Sequence, residues 1–142
     1  MDIDASKALA LRILGSRSLS SREIEKRLVA KGQSADAAQE TVKWLMEIGA
    51  VDDKEYADSI VRHYTMKGYG LARIKQELFK RGIEREMWEE ALECIEGMAD
   101  AAYDFAKKRL ASSSDKDDIR RMTQTLQRRG YSYEEAREAI KK

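Results

Sequence analysis

Three glycines, Gly32, Gly82 and Gly130, sit in one local pattern, and that repeat constrains the fold more than any other feature of the chain. An apolar residue stands eight positions before each glycine (Ile24, Ile74, Met122), a leucine four before it (Leu28, Leu78, Leu126) and a cation one before it (Lys31, Arg81, Arg129). The glycines are 50 and 48 residues apart. Apolar positions four apart share one face of a helix, and a glycine just past such a stripe suits a left-handed C-cap, where a Cβ would be strained. After each glycine a short polar turn leads to a second apolar series: Val42 and Leu45, Leu92 and Ile95, then Ile140. A further helical stripe precedes each pair. Its members are Leu9 and Ile13 in the first unit, Tyr56, Ile60 and Tyr64 in the second, and Ala99, Tyr103, Ala106 and Leu110 in the third. Ser20 with Glu23, Asp52 with Glu55 and Ser132 with Glu135 read as capping boxes or close variants that start helices.

The predicted fold is therefore all-α: nine helices in three tandem three-helix repeats, spanning 1–49, 50–97 and 98–142. The absence of proline and the presence of only eight glycines in 142 residues agree, because turn-dense β folds need more punctuation. A unit of this size is near the lower limit for independent folding. Neighbouring units should pack on one another, giving an elongated, curved stack of helix-turn-helix-like modules. Gly68 and Gly70 mark a hinge between modules, and Gly97 falls where the sixth and seventh helices meet.

The net charge of +1 conceals a segregation by helix. The second helices carry +2 (21–31), +3 (71–81) and +4 (119–129), whereas the third helices carry −2 (34–47), −5 (84–96) and −2 (132–140). Macrodipole preference accounts for cations near helix carboxyl ends and acids near amino ends. It explains less well why one sign belongs to a whole helix in all three modules. The sharper expectation is a basic ridge along one side of the stack, facing a polyanion or an acidic protein groove, and an acidic ridge along another. A helix-turn-helix that reads bases inserts the helix after the turn into the major groove. Here that helix is acidic in every module and phosphates would repel it. Contact by the second helices remains open.

Chemistry-bearing motifs are sparse. One histidine (His63) and one cysteine (Cys94) argue against His/Cys zinc sites, an internal disulfide and most nucleophile–base pairs. No Gly-rich phosphate cradle is present, and the carboxylates of the sixth helix lack a matching nucleophile or ligand set, so they read as a solvated face. The expectation is a non-enzyme without cofactor or metal. No apolar run is long enough for a membrane span, the start Met1-Asp2-Ile3-Asp4 is acidic where a signal peptide is basic, and the single cysteine fits a reducing cytoplasm. Trp88 reads as core or module interface, His63 as surface and Cys94 as buried structure. Trp44 is undecided, because Val42 and Leu45 already mark the buried stripe. Tyr64, Tyr69, Tyr131 and Tyr133 interleave with cations. Packing is the favoured reading for them, except for Tyr69, which sits between two turn glycines and could stack on a base.

Three stretches resemble the RecX family. They are Gly70-Leu71-Ala72-Arg73-Ile74-Lys75-Gln76-Glu77-Leu78-Phe79-Lys80-Arg81-Gly82-Ile83, Ile48-Gly49-Ala50-Val51-Asp52-Asp53-Lys54-Glu55-Tyr56-Ala57, and Leu126-Gln127-Arg128-Arg129-Gly130-Tyr131-Ser132-Tyr133-Glu134-Glu135. The match covers essentially the whole chain, in order. Departures are a thinner Arg/Ser cluster at residues 16–21, tyrosine at 56 and 131 where phenylalanine is frequent, and Leu71 where proline is frequent. The resemblance implies a non-enzymatic regulator of RecA. Such a protein lies in the helical groove of the RecA–single-stranded DNA filament, bridges protomers and suppresses ATP hydrolysis, strand exchange and co-protease activity, with direct DNA contact in some members. A stand-alone DNA-binding module using the same ridge is the alternative, and a monomer is expected. Candidate partner- or DNA-binding residues are Arg73, Lys75, Lys80 and Arg81, then Arg120, Arg121, Arg128 and Arg129, then Arg22, Lys26 and Lys31. Reversing Arg73 and Lys80 together should weaken filament inhibition while leaving helicity intact.

Overall fold

A computed structural model describes residues 3–93, 103–108 and 115–141. These residues contain helices and turns and no strand. The helices are α1 (Ile3–Leu14), α2 (Ser21–Ala30), α3 (Ala35–Glu47), α4 (Asp53–Met66), α5 (Leu71–Lys80), α6 (Arg85–Leu92), α7 (residues 103–108), α8 (Lys116–Arg128) and α9 (Tyr133–Lys141). The three-module, all-helical architecture expected from the sequence is present. Cys94, Ile95, Gly97, Ala99 and Leu110 lie outside the described residues.

Each module closes on its own core. In the first, Ala10 of α1, Ile24 and Leu28 of α2, and Val42 and Leu45 of α3 converge, with Leu9, Ile13 and Trp44 at the edge. In the second, Ile60 and Val61 meet Ile74, Leu78 and Ala91, flanked by Tyr56, Tyr64 and Trp88. In the third, Ala106, Met122, Leu126, Tyr131, Ala136 and Ala139 form the centre. The leucine four before each glycine is completely buried in all three modules. All extensively packed pairs among the fully described helices lie within a module.

Local signals set the helix ends. Ser20 forms a reciprocal capping box with Glu23, and Ser132 does so with Glu135. Asp52 accepts from the Glu55 amide at 3.1 Å, and Ser34 accepts from the Ala37 amide at 3.1 Å. Gly32, Gly82 and Gly130 all take positive φ after their helices, as the C-cap reading requires. One boundary differs from expectation. α8 begins at Lys116, capped by Asp115, so Asp117 and Asp118 enter its first turn, where carboxylates favour the helix dipole.

A candidate interaction surface along the three central helices

The three central helices, α2, α5 and α8, meet end to end. At the junction of modules two and three, the Gly70 amide donates to Arg129 O at 2.8 Å and the Ala72 amide to Gly130 O at 3.1 Å. The amino end of α5 has no side-chain cap. Its first amides are satisfied by the carbonyls that terminate α8, so the next module supplies the cap. The approach is too close for a side chain: a Cβ on Gly70 would stand 2.4 Å from the Gly130 carbonyl carbon. The hinge suggested by Gly68 and Gly70 is thus a tightly packed seam, with Gly70 required for closeness.

The junction of modules one and two repeats this arrangement with side chains. Ser20 Oγ caps α2 by accepting from Glu23 N, and it donates its proton to Arg81 O at 2.5 Å. Ser21 donates through its amide (2.7 Å) and hydroxyl (2.5 Å) to the two oxygens of Asp53, a buried carboxylate at the start of α4. Arg22 packs over Gly82, where a Cβ would lie 2.9 Å from the arginine Cβ. In both junctions the carboxyl end of one central helix faces the amino end of the preceding one, so the dipoles run head to tail. α2, α5 and α8 contain 10, 10 and 13 residues, about 50 Å of helix at a rise of about 1.5 Å per residue. The turn at Lys31–Gly32 is the same motif at the end of the stack, with nothing within 4 Å of a Cβ at Gly32.

This geometry divides the candidate cations in two. Arg22, Lys26, Lys31, Lys75, Lys80, Arg120, Arg121 and Arg128 are exposed. Arg120 makes an exposed pair with Asp117 at 3.1 Å, a contact that water and salt screen strongly. Arg73, Arg81 and Arg129 are half-buried and serve the fold. Arg81 donates to Glu77 at 3.0 Å and to Tyr56 Oη at 2.8 Å. Burial opposes the Arg81 charge, but the hydrogen bonds to Tyr56 and Glu77 outweigh it and hold its pKa above the ordinary value. Burial likewise pushes the Glu77 carboxyl up, and the bonds from Arg81 and Tyr64 reverse that, leaving it below the ordinary 4.5. Arg129 donates to Lys67 O at 2.5 Å and Gly68 O at 3.3 Å across the module boundary. Its guanidinium lies 4.1 Å from the Tyr69 ring centre and 4.2 Å from that of Phe105. Arg73 stacks on Tyr69 at 5.4 Å, and its Nε is buried.

The tyrosines sort the same way. Tyr69, the candidate for base stacking, is engaged by Arg129, Arg73 and Tyr64. Tyr131 is 3% exposed and donates to Gly68 O at 2.6 Å; burial pushes its phenol up to about 12. Trp88 belongs to its module core and donates to Ile83 O at 2.9 Å. Trp44 packs against the first core, with Lys7 Nζ 4.6 Å above its ring centre. His63 is exposed. The acids of the third helices point outward: Asp36, Glu40 and Glu47 on α3, Glu86, Glu89 and Glu90 on α6, and Glu134 and Glu138 on α9 are exposed. One residue to which the sequence reading assigned no role stands out among the exposed cations of α5: Phe79, 71% exposed between Lys75 and Lys80. Its place beside the core leucine Leu78 gave no sign of which way it faces. Among the described residues no group of three or more His, Cys, Asp or Glu could hold a metal, and no helix is long and apolar enough to cross a membrane.

Comparison with known proteins adds an independent line. Residues 7–45, 52–92 and 96–140 match the first, second and third three-helix domains of RecX, in that order. The chain is 32% identical over 142 residues to the regulatory protein RecX of Vibrio cholerae, covering 98% of this chain and 93% of that one. It is 31% identical over 136 residues to the regulatory protein RecX of Pelodictyon phaeoclathratiforme, covering 93% and 84%. A crystal structure of RecX from Lactobacillus salivarius superposes with a TM-score of 0.86 at 25% identity, over 98% of this chain and 94% of that one.

Proposed function

The chain belongs to the RecX family, and on that premise we propose that it is a non-enzymatic negative regulator of RecA. It acts in the cytoplasm as a monomer, without cofactor. It binds the RecA–single-stranded DNA filament in its helical groove, spans neighbouring protomers, and lowers ATP hydrolysis, strand exchange and co-protease activity. The observation that carries this reading is the end-to-end line of α2, α5 and α8 with its exposed cations. A linear array of similar modules suits a ligand that repeats along an axis. Each module contact can be weak, because binding by one raises the effective concentration of the next. The cations face acidic filament surface, DNA phosphate, or both.

The test is RecA ATPase on single-stranded DNA with and without the protein, beside binding to the same DNA alone at several salt concentrations. Inhibition at low ratios to RecA supports the reading. Binding to bare DNA that falls steeply with salt, without an effect on the filament, supports a stand-alone DNA binder instead. Arg73 is a poor choice for charge reversal, because it lies in the seam between modules. The double variant Lys75→Glu/Lys80→Glu is expected to weaken inhibition at least tenfold with unchanged helicity. Undiminished inhibition removes the central helix from the interface.

A further inference from the structure

Phe79 is 71% exposed although its neighbour Leu78 is completely buried. Residues three and four apart share a helix face, so Gln76 and Lys75 lie beside Phe79, with Lys80 adjacent, and all three are exposed. The repeat gives Phe79 a counterpart. The position three before the glycine in the first module is Val29, 46% exposed, with exposed Arg22 and Lys26 on the same face. The third module has Gln127 there, also exposed. The same outward position on the basic line therefore holds an apolar side chain in two modules and an amide in the third. Single exposed apolar residues are ordinary. An aromatic among cations, repeated as an aliphatic at the equivalent place one module away, has the make-up of an interface hot spot. Valine has no π face, so the role common to both positions is to fill an apolar pocket; stacking on a base needs an aromatic ring at each.

Resting on the reading above, we infer that Phe79 and Val29 are the apolar anchors of the filament interface. They enter pockets on the protein protomers, and the carboxylate rims of those pockets face Lys75, Lys80 and Lys26. The amide at Gln127 makes the third module's contact polar.

The experiment measures binding of fluorescently labelled full-length protein, by anisotropy, to RecA filaments assembled on single-stranded DNA with a non-hydrolysable ATP analogue, and to that DNA alone. Phe79→Ala is expected to weaken filament binding roughly thirtyfold, Val29→Ala several-fold, and Gln127→Ala not at all. Phe79→Leu should bind nearly as wild type, since a pocket needs apolar volume and no π face. Affinity for DNA alone should be the same for all four. Circular dichroism melts should coincide with wild type, because all three positions are exposed. Wild-type affinity of Phe79→Ala for the filament overturns the inference and leaves the regulatory reading standing. So does a Phe79→Leu loss as large as that of Phe79→Ala, or an equal loss on DNA alone, either of which marks base stacking. Absence of filament binding by the wild type removes both.

Discussion

At the scale of single residues, cations and tyrosines that a sequence reading groups together divide between the surface and the fold: Arg73, Arg81 and Arg129 are half-buried while the other candidate cations are exposed. Tyr131 is a seam residue: its hydroxyl donates to Gly68 O, 63 positions away. Tyr131→Phe is expected to lower stability by about 1 kcal/mol, the worth of a typical buried hydrogen bond, in urea unfolding at neutral pH. Because burial raises its phenol from 10.0 to about 12, the folded state holds that proton more tightly than the unfolded chain. Its contribution is complete below pH 10 and is lost as pH rises towards about 12. The denaturation midpoint of the wild type should fall over that window more than that of Tyr131→Phe. Glu77 has the opposite sign. Its carboxyl is depressed below 4.5, so its contribution is present above that value and disappears as pH falls through the lower folded value. Glu77→Gln should therefore cost stability at pH 7 and progressively less under acid, read as a converging pair of melting curves. A constant gap would mean that the Arg81 pairing does not matter.

At the scale of elements, the C-cap turn recurs in three copies, and its surroundings differ. Gly32 and Gly130 have nearly the same φ, 102° and 105°, yet a Cβ meets nothing at Gly32 and lies 2.5 Å from Arg73 N at Gly130. Gly32→Ala should cost only backbone strain, about 1–2 kcal/mol. Gly130→Ala should cost that plus the overpacking of a tight seam, about 1–3 kcal/mol more. Equal losses in chemical denaturation would show that the seam yields freely. The helices themselves were legible because their causes are local. Ile24 and Leu28, Ile74 and Leu78, and Met122 and Leu126 reveal buried faces by spacing alone, and Ser20 and Ser132 announce helix starts through short-range hydrogen bonds. The early start of α8 was less legible, because Asp117 and Asp118 break the run of positive charge although they suit a first helical turn.

At the scale of the whole molecule, three cores are joined by two seams, and the seams decide whether the basic line is continuous. Asp53 holds Ser21 by both its amide and its hydroxyl. Asp53→Ala leaves those donors without the carboxylate and should weaken the first seam by about 1–3 kcal/mol. Hydrogen exchange should then quicken in the first turn of α2 while α8 and α9 keep their protection, as expected of a chain in which each module contacts only its neighbours. Uniform acceleration across all three modules would mean one cooperative core. The sequence alone determined the helical class, the threefold repeat and the sign of charge on each helix, because capping, periodicity and charge act within a few residues of their cause. Only the tertiary structure decided that Arg81 and Arg129 are half-buried and hydrogen-bonded within the fold, that Tyr69 is engaged by neighbouring side chains, and that Phe79 faces outward. These outcomes depend on partners as distant in sequence as Arg129 and Lys67, 62 positions apart, and no local pattern records which surfaces a neighbouring module will cover.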